Sequence, residues 1–329
     1  MVAVALLAAI LTANAPAAGG SGDRWRQYQP DEPYGIYYGV ALGPDGRMWF
    51  SDGNYSLMLR HLGGSRFSSF PIAYAPQQLA VGSDGLFYAT IDPFSYGIVR
   101  VTPAGATTFI PIADQPYGGL SLGTDGNVWY TATKHVGKVT PSGTVTPYAV
   151  TPAHAHGKSY VPYSYGGIAQ DAAGRVWFGV RELDGPSYVG SLDPATGITK
   201  LYPAGACNPG GGFVLGPDGA IWFQCTGASL ARVASGSPIV AYPMPAGLYP
   251  DWAQGLAFDS HGRLWTGAEI VQSGIVVGGS FVEFDLATHR FRRHDFPTTQ
   301  SWPNAIAFSR DGSLWATTLG VPDIVELVR

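Results

Sequence analysis

Three observations predict an all-β chain folded as a seven-bladed β-propeller of four-stranded antiparallel blades. The first is composition. Glycine (45) and proline (26) together exceed a fifth of the 329 residues, while 46% are hydrophobic, 13% aromatic and only 13% charged. That is too rich in turn formers for a helical bundle and too rich in aromatic and aliphatic residues for disorder. The second is a unit that recurs seven times, a tight turn followed three residues later by an aromatic: GPDGRMW, GSDGLFY, GTDGNVW, DAAGRVW, GPDGAIW, DSHGRLW and SRDGSLW. The third is that the chain ends complete one another. The last unit stops short of a fourth strand, and residues 24–30 have no unit of their own.

The turn glycines are Gly46, Gly85, Gly126, Gly174, Gly219, Gly262 and Gly312. Their spacing of roughly 40–50 residues is that of a repeat architecture with one sheet per unit. The aromatics are Trp49, Tyr88, Trp129, Trp177, Trp222, Trp265 and Trp315, so six of the nine tryptophans occupy one repeated position. The third unit shows the grammar most clearly: GLSLG, turn TDGN, VWYTAT, a loop, VGKVT, turn PSG, TVTPYAV. Short strands joined by Asp-Gly or Ser-Gly turns are hairpin chemistry, because the turn needs positive φ at glycine. Inner strands that open on Gly118-Gly119, Gly166-Gly167 and Gly211-Gly212 suit an axis where seven strands converge. The second-strand aromatics are read as core, filling the wedge between sheets. Trp25 to Pro30 matches the outer strands FSSFPI and KLYPA, so the N-terminal segment is expected to close the ring as the outermost strand of the last blade.

The front of the chain reads as a signal peptide over residues 1–15: Val2 to Leu11 is apolar, and Ala13-Asn14-Ala15 has the small-x-small pattern of a cleavage site. Residues 16–23 read as a linker and 24–329 as a single propeller domain. The apolar run is too short for a bilayer, and no other segment resembles a membrane span. A secreted or periplasmic monomer is expected. Net charge −4 and pI 5.9 set aside nucleic acid as a partner. Two cysteines in an exported chain suggest a disulfide, here Cys207 with Cys225, both beside the fifth inner strand.

Binding is expected where the loops leading into inner strands meet those leaving second strands, around the channel mouth. Those loops carry Tyr34, Tyr37, Tyr38, Tyr117, Tyr160, Tyr163, Tyr165, Tyr249, Trp252 and Trp302, with polar groups Glu32, Asp52, Asn54, Gln77, Asp92, Glu182, Gln254, Glu269 and Asn304. An aromatic-walled cup with few charges suits a small amphipathic or carbohydrate-like ligand; the competing reading is a plug of tyrosines packing the loops. The ligand set is drawn as Tyr38, Asp52, Asn54, Gln77, Tyr117, Tyr165, Trp252, Gln254, Trp302 and Asn304. His154 and His156 form a His-x-His pair that would need a third metal ligand, and Asp52 and Glu182 are the weak candidates for catalysis or for a metal. There is no G-x-S-x-G elbow, phosphate loop or H-E-x-x-H. The turn aspartates Asp45, Asp84, Asp125, Asp218 and Asp311 are read as turn formers accepting backbone N–H groups.

The stretches GVALGPDGRMWF (Gly39 to Phe50) and GFVLGPDGAIWF (Gly212 to Phe223) carry the repeat in full. In them the chain resembles the virginiamycin B lyase (streptogramin lyase) family of seven-bladed propellers, and more distantly SMP-30/gluconolactonase and NHL-type propellers. The resemblance covers the chain after residue 24. It implies ester cleavage of a cyclic antibiotic by elimination, with Mg2+ held by His and Glu and a histidine as base. The family's histidine is expected eleven residues before a blade tryptophan and its glutamate three after. Here those positions hold Tyr38, Gln77, Gly118, Gly166, Gly211, Gln254 and Asn304, and Asp52, Ile91, Ala132, Val180, Cys225, Ala268 and Thr318. None of the first set is histidine, and only Asp52 of the second is acidic. The expectation is therefore a ligand-binding propeller that lacks the family's catalytic set. Two alternatives stand beside it: a lyase or lactonase-like hydrolase using Mg2+ or Ca2+ at a relocated site on Asp52, Asn54, Asn304 and Glu182, and a protein-interaction platform.

Overall fold

The computed structural model describes residues 22–30, 36–91, 95–152, 158–162, 167–183, 185–250, 255–299, 301–321 and 324–329. The proposed signal peptide and most of the linker lie outside them. Seven antiparallel sheets stand in a ring, and the described residues contain no helix. Blades 1, 2, 3 and 5 each run from inner to outer strand in chain order, with inner strands Tyr37–Leu42, Pro76–Val81, Pro116–Leu122 and Pro209–Leu215. In blades 4 and 6 the inner strand is split, into Tyr160–Pro162 and Ile168–Gln170, and into Leu248–Tyr249 and Leu256–Phe258. Blade 7 is built from Ser301–Phe308, Leu314–Gly320, Ile324–Val328 and, outermost, Arg24–Tyr28. Arg24 opposes Val328 and Tyr28 opposes Ile324, which is the predicted closure.

The ring holds together through three repeated devices. The inner glycines let neighbouring strands touch. A Cβ on Gly39 would stand 2.9 Å from Leu79, one on Gly212 3.2 Å from Leu256, and one on Gly255 2.5 Å from Ile306, each on the next blade. The second device is the buried second-strand aromatic, which stacks on a ring from the outer strand. Trp49 meets Phe70 at 5.2 Å, Trp129 meets Tyr148 at 5.7 Å, and Trp222 meets Tyr242 at 5.4 Å. In blade 7 the N-terminal strand supplies this ring, Tyr28 lying 5.2 Å from Trp315 at 10°. Trp49 also reaches Phe87 of blade 2 at 4.6 Å, so the wedge between sheets is filled as expected.

The third device is the turn aspartate, which does more than hold its turn. Asp45 accepts the Trp49 indole N–H at 3.0 Å, Asp84 the Tyr88 hydroxyl at 2.8 Å, and Asp125 and Asp218 the indoles of Trp129 and Trp222 at 3.1 Å. In those blades glycine stands six residues before the aromatic. A Cβ there would meet the ring or the carboxylate within about 2.8 Å, as at Gly43 and Gly216. Blades 4 and 6 reach the same end by another spelling: Asp171 and Asp259, six residues before Trp177 and Trp265, accept those indoles at 2.8 and 3.1 Å. Blade 7 has neither spelling. It places Ser309 where the others have glycine or aspartate; Asp311 keeps its turn bond to the Ser313 N–H, but accepts the Ser309 hydroxyl in place of the indole. The Trp315 indole N–H, in a residue 3% exposed, has no partner among the described residues.

Cys207 and Cys225 form the expected disulfide, Cα atoms 4.9 Å apart, both buried. No helix of the described residues is long and apolar enough to cross a membrane.

Candidate functional site

The inner strands of all seven blades enclose a central cavity of about 280 Å³. Every blade lines it with an aliphatic or aromatic side chain, Val40, Leu79, Leu120, Ile168, Phe213, Leu256 and Ile306, joined by Val214 and Ala305. Tyr38, Gln78 and Ser121 add the polar lining. This periodicity follows from a Gly-apolar dipeptide in five of the inner strands, with Gln78-Leu79 and Ala305-Ile306 in blades 2 and 7. The glycine admits its neighbour and the residue after it meets the axis.

Inner strands bulge as they begin, with register breaks between Tyr37 and Gly39, Pro76 and Leu79, Pro116 and Leu120, Pro209 and Phe213, and Pro303 and Ala305. A bulge leaves an N–H out of the ladder. The side chain two residues after the blade aromatic takes it up. Gly39 N–H donates to Ser51 (2.9 Å), Gln78 to Thr90 (3.1 Å), Gly119 to Thr131 (3.0 Å) and Gly212 to Gln224 (2.6 Å). The Ser51 hydroxyl in turn donates to the Gln77 carbonyl of blade 2. Gln224 does the same work for blade 6, its amide donating to Thr266 Oγ1 at 2.7 Å. This latch was missed by sequence reasoning, although Ser, Thr, Thr and Gln recur at that offset.

Of the predicted ligand residues, Tyr38, Asp52 and Asn54 lie together on blade 1, and Asn304 of blade 7 reaches the Tyr38 carbonyl. Asn304, 7% exposed, donates through Nδ2 to the carbonyls of Tyr37 (3.1 Å) and Tyr38 (3.3 Å), sewing the last inner strand to the first. Trp302, half-buried, precedes it on the same strand. The Tyr38 ring lies where a Cβ on Gly53 would fall, 2.5 Å away, so that glycine makes room for it. Asp52 is fully buried opposite Tyr37. Its Oδ1 accepts the N–H groups of Asn54 (2.8 Å) and Tyr55 (3.2 Å), while Oδ2 has no partner among the described residues. Burial pushes this carboxyl above the usual aspartate range, against those two bonds, which favour its charged form.

The other candidates fall elsewhere. Glu182 ends the second strand of blade 4, with blades 2 and 3 between it and Asp52. Its carboxylate is engaged by Lys158 at 2.6 Å, a pairing that raises the lysine's pKa. Gln77 begins blade 2 and contributes its carbonyl to the latch. Tyr117 lies in the third inner strand. Tyr165, Trp252, Gln254, His154 and His156 lie outside the described residues. Among the described residues, no three His, Cys, Asp or Glu side chains assemble as a metal site.

A family model described as the virginiamycin B lyase family matches residues 20–233. No curated protein matches. Among solved structures, a streptogramin B lyase is similar with TM-score 0.73 at 21% identity, over 93% of this chain and 97% of that one. A catalytically inactive histidine-to-alanine virginiamycin B lyase from Staphylococcus aureus, with quinupristin, gives TM-score 0.73 at 17% identity, over 93% and 99% of the two chains. The extracellular domain of a hybrid two-component system from B. thetaiotaomicron gives TM-score 0.66 at 14% identity, over 93% of this chain and 40% of that one. At these identities the likenesses show the fold.

Proposed function

The chain belongs to the virginiamycin B lyase family, and from that premise we propose that it is an extracellular propeller binding a small amphipathic or carbohydrate-like ligand at its channel mouth, without the family's elimination chemistry. The observation that carries this reading is the join of blades 1 and 7. There Tyr38 lines a cavity walled mostly by apolar side chains, its carbonyl held by the Asn304 amide of blade 7, with the buried Asp52 carboxyl on the neighbouring strand of blade 1. Such a surface offers stacking and sparse hydrogen bonds. The disulfide and the likeness to extracellular propeller domains support export.

Elimination α to a carbonyl needs a base that titrates near working pH and a cation or donor for the developing enolate. The positions where the family resemblance expects the base hold tyrosine, glutamine, glycine and asparagine. The Mg2+ of the family does not fit the described residues: no three His, Cys, Asp or Glu side chains gather there, and Glu182 is paired with Lys158, with blades 2 and 3 between it and Asp52. No step is therefore derived through a metal.

Isothermal titration against a streptogramin B antibiotic and a panel of oligosaccharides, with product analysis by mass spectrometry in added Mg2+, tests the proposal. Saturable binding without ring opening is the expected result, and an Asn304→Asp exchange weakens it. Absence of binding across the panel overturns it. A second reading is favoured by one observation, the unpartnered Oδ2 of Asp52 in a carboxyl whose pKa burial raises. Such a group resembles a general acid, and turnover abolished by Asp52→Asn would establish an enzyme in place of a binder.

A further inference from the structure

The face opposite the channel mouth carries the turns between inner and second strands, and at blade 7 it departs from the ring's own rule. Six blades satisfy the polar hydrogen of the second-strand aromatic with a turn aspartate at 2.8–3.1 Å. In blade 7 the Trp315 N–H is left without one, because the Ser309 hydroxyl occupies the Asp311 oxygen that already holds the turn. A buried donor without an acceptor is costly, and each instance calls for an explanation.

The explanation lies in what surrounds it. Trp315 and the turn Ser309 to Asp311 both wall a pocket of about 340 Å³ between blades 7 and 1, together with Arg26, Arg47, His61 and Arg310. The Arg310 guanidinium lies against the blade 1 turn, its Cζ 3.4 Å from where a Cβ on Gly46 would be. It has no ion-pair partner among the described residues. Arg47 donates to the His61 carbonyl at 3.4 Å and likewise pairs with no carboxylate there. The pocket's own acids are occupied. Glu326 is held by Tyr28 (2.6 Å) and Arg26 (3.3 Å), and Asp311 by its serines. Arg47, Arg310 and Trp315 thus wall one pocket, beside a turn whose aspartate is taken by a serine rather than by the indole.

We propose that this pocket binds a small free carboxylate, one oxygen accepting the Trp315 indole N–H while Arg310 and Arg47 hold the charge. Guanidinium recognises carboxylate through paired N–H donors, which favours a planar two-oxygen anion over a spherical one. Ser309 is the residue that creates the vacancy. Its side chain diverts Asp311 and stands where four blades have glycine.

The test is a titration of the 15N-labelled protein followed at its tryptophan indole signals, with that of Trp315 identified by Trp315→Phe. Sodium acetate and citrate are compared with sodium phosphate and with sodium chloride at equal ionic strength. A saturable downfield movement of the Trp315 signal alone, with acetate and citrate, is expected. Arg310→Gln, an exposed change that spares the fold, should weaken it about tenfold, the loss of one charge-assisted bond. Ser309→Gly, which returns Asp311 to the indole, should abolish it. No carboxylate-dependent movement at Trp315, a response to phosphate alone, or a response indifferent to Arg310→Gln overturns the proposal.

Discussion

The last blade is closed by residues from opposite ends of the chain, and Tyr28 tests how much of that closure rests on one bond. Its hydroxyl donates to Glu326 at 2.6 Å, and Glu326 is 2% exposed. Arg26 reaches the same carboxylate at 3.3 Å, but its own side chain is 60% exposed. Tyr28→Phe keeps the stacking on Trp315 and removes only the hydroxyl. A hydrogen bond to a charged group contributes about 1.5–3 kcal/mol, and here the buried carboxylate has only a solvent-screened arginine to fall back on. With an unfolding entropy of about 2.1 cal/mol/K per residue over roughly 300 residues, a loss of about 2 kcal/mol lowers Tm by about 3 °C. Arg26→Ala should leave Tm essentially unchanged, because water already serves that guanidinium. Scanning calorimetry on the three proteins, checked by urea unfolding, measures the difference. If Tyr28→Phe melts with wild type, or if Arg26→Ala costs as much, then the carboxylate is not held by the tyrosine and this account of the closure fails.

Ser309→Gly should raise stability in anion-free buffer. Satisfying a buried N–H returns about 1–3 kcal/mol and the added glycine freedom takes back about 0.5–1, so a Tm gain of about 2 °C is expected by calorimetry. Asp52 binds its proton more tightly folded than unfolded, so its contribution favours folding below about pH 4 and is lost as pH rises through the raised value. Asp52→Asn, which keeps the Oδ1 acceptor, should therefore gain stability relative to wild type as pH climbs from about 4 to 7, read by urea titrations across that range. Replacing Cys207 and Cys225 together by serine should cost about 3 kcal/mol, as expected for an 18-residue separation, and lower Tm by about 5 °C in a thermal melt.

The blades, the closure and the disulfide were legible because each is periodic or local. A turn glycine and an aromatic three residues on mark a second strand wherever they occur, and Cys225 ends one such strand beside Cys207. Other features required distances that a linear pattern does not carry. Asn304 meets the carbonyls of Tyr37 and Tyr38 only after the ring has closed. The turn aspartates read correctly as turn formers, since Asp45 accepts the Arg47 N–H at 3.1 Å. Yet the same oxygen also takes the indole, which depends on the ring folding back over its turn. The ligand set read as one cup is spread, among its described members, over blades 1, 2, 3 and 7, and the catalytic candidate Glu182 is paired with Lys158 on blade 4. Sequence order says nothing of which blade a loop leans toward.

The exceptions to the repeat are coupled, and the coupling explains where the channel mouth departs from sevenfold regularity. Blades 4 and 6 carry aspartate six residues before the tryptophan, and glycine (Gly179, Gly267) two residues after it. Glycine has no side chain to receive an inner-strand N–H, and in these two blades the inner strand is described as two short pieces. Where Ser51, Thr90, Thr131 and Gln224 supply that acceptor, the strand continues through its bulge to the rim. Blade 7 is intermediate. Thr317 occupies the latch position, but its Oγ1 has no partner among the described residues, and Asn304 reaches across to blade 1 instead. A side chain with a polar atom at this position accompanies a single inner strand, and glycine accompanies one described in two pieces. Beneath both of these blades the core is kept, with Trp177 and Trp265 fully buried and each held by its own aspartate.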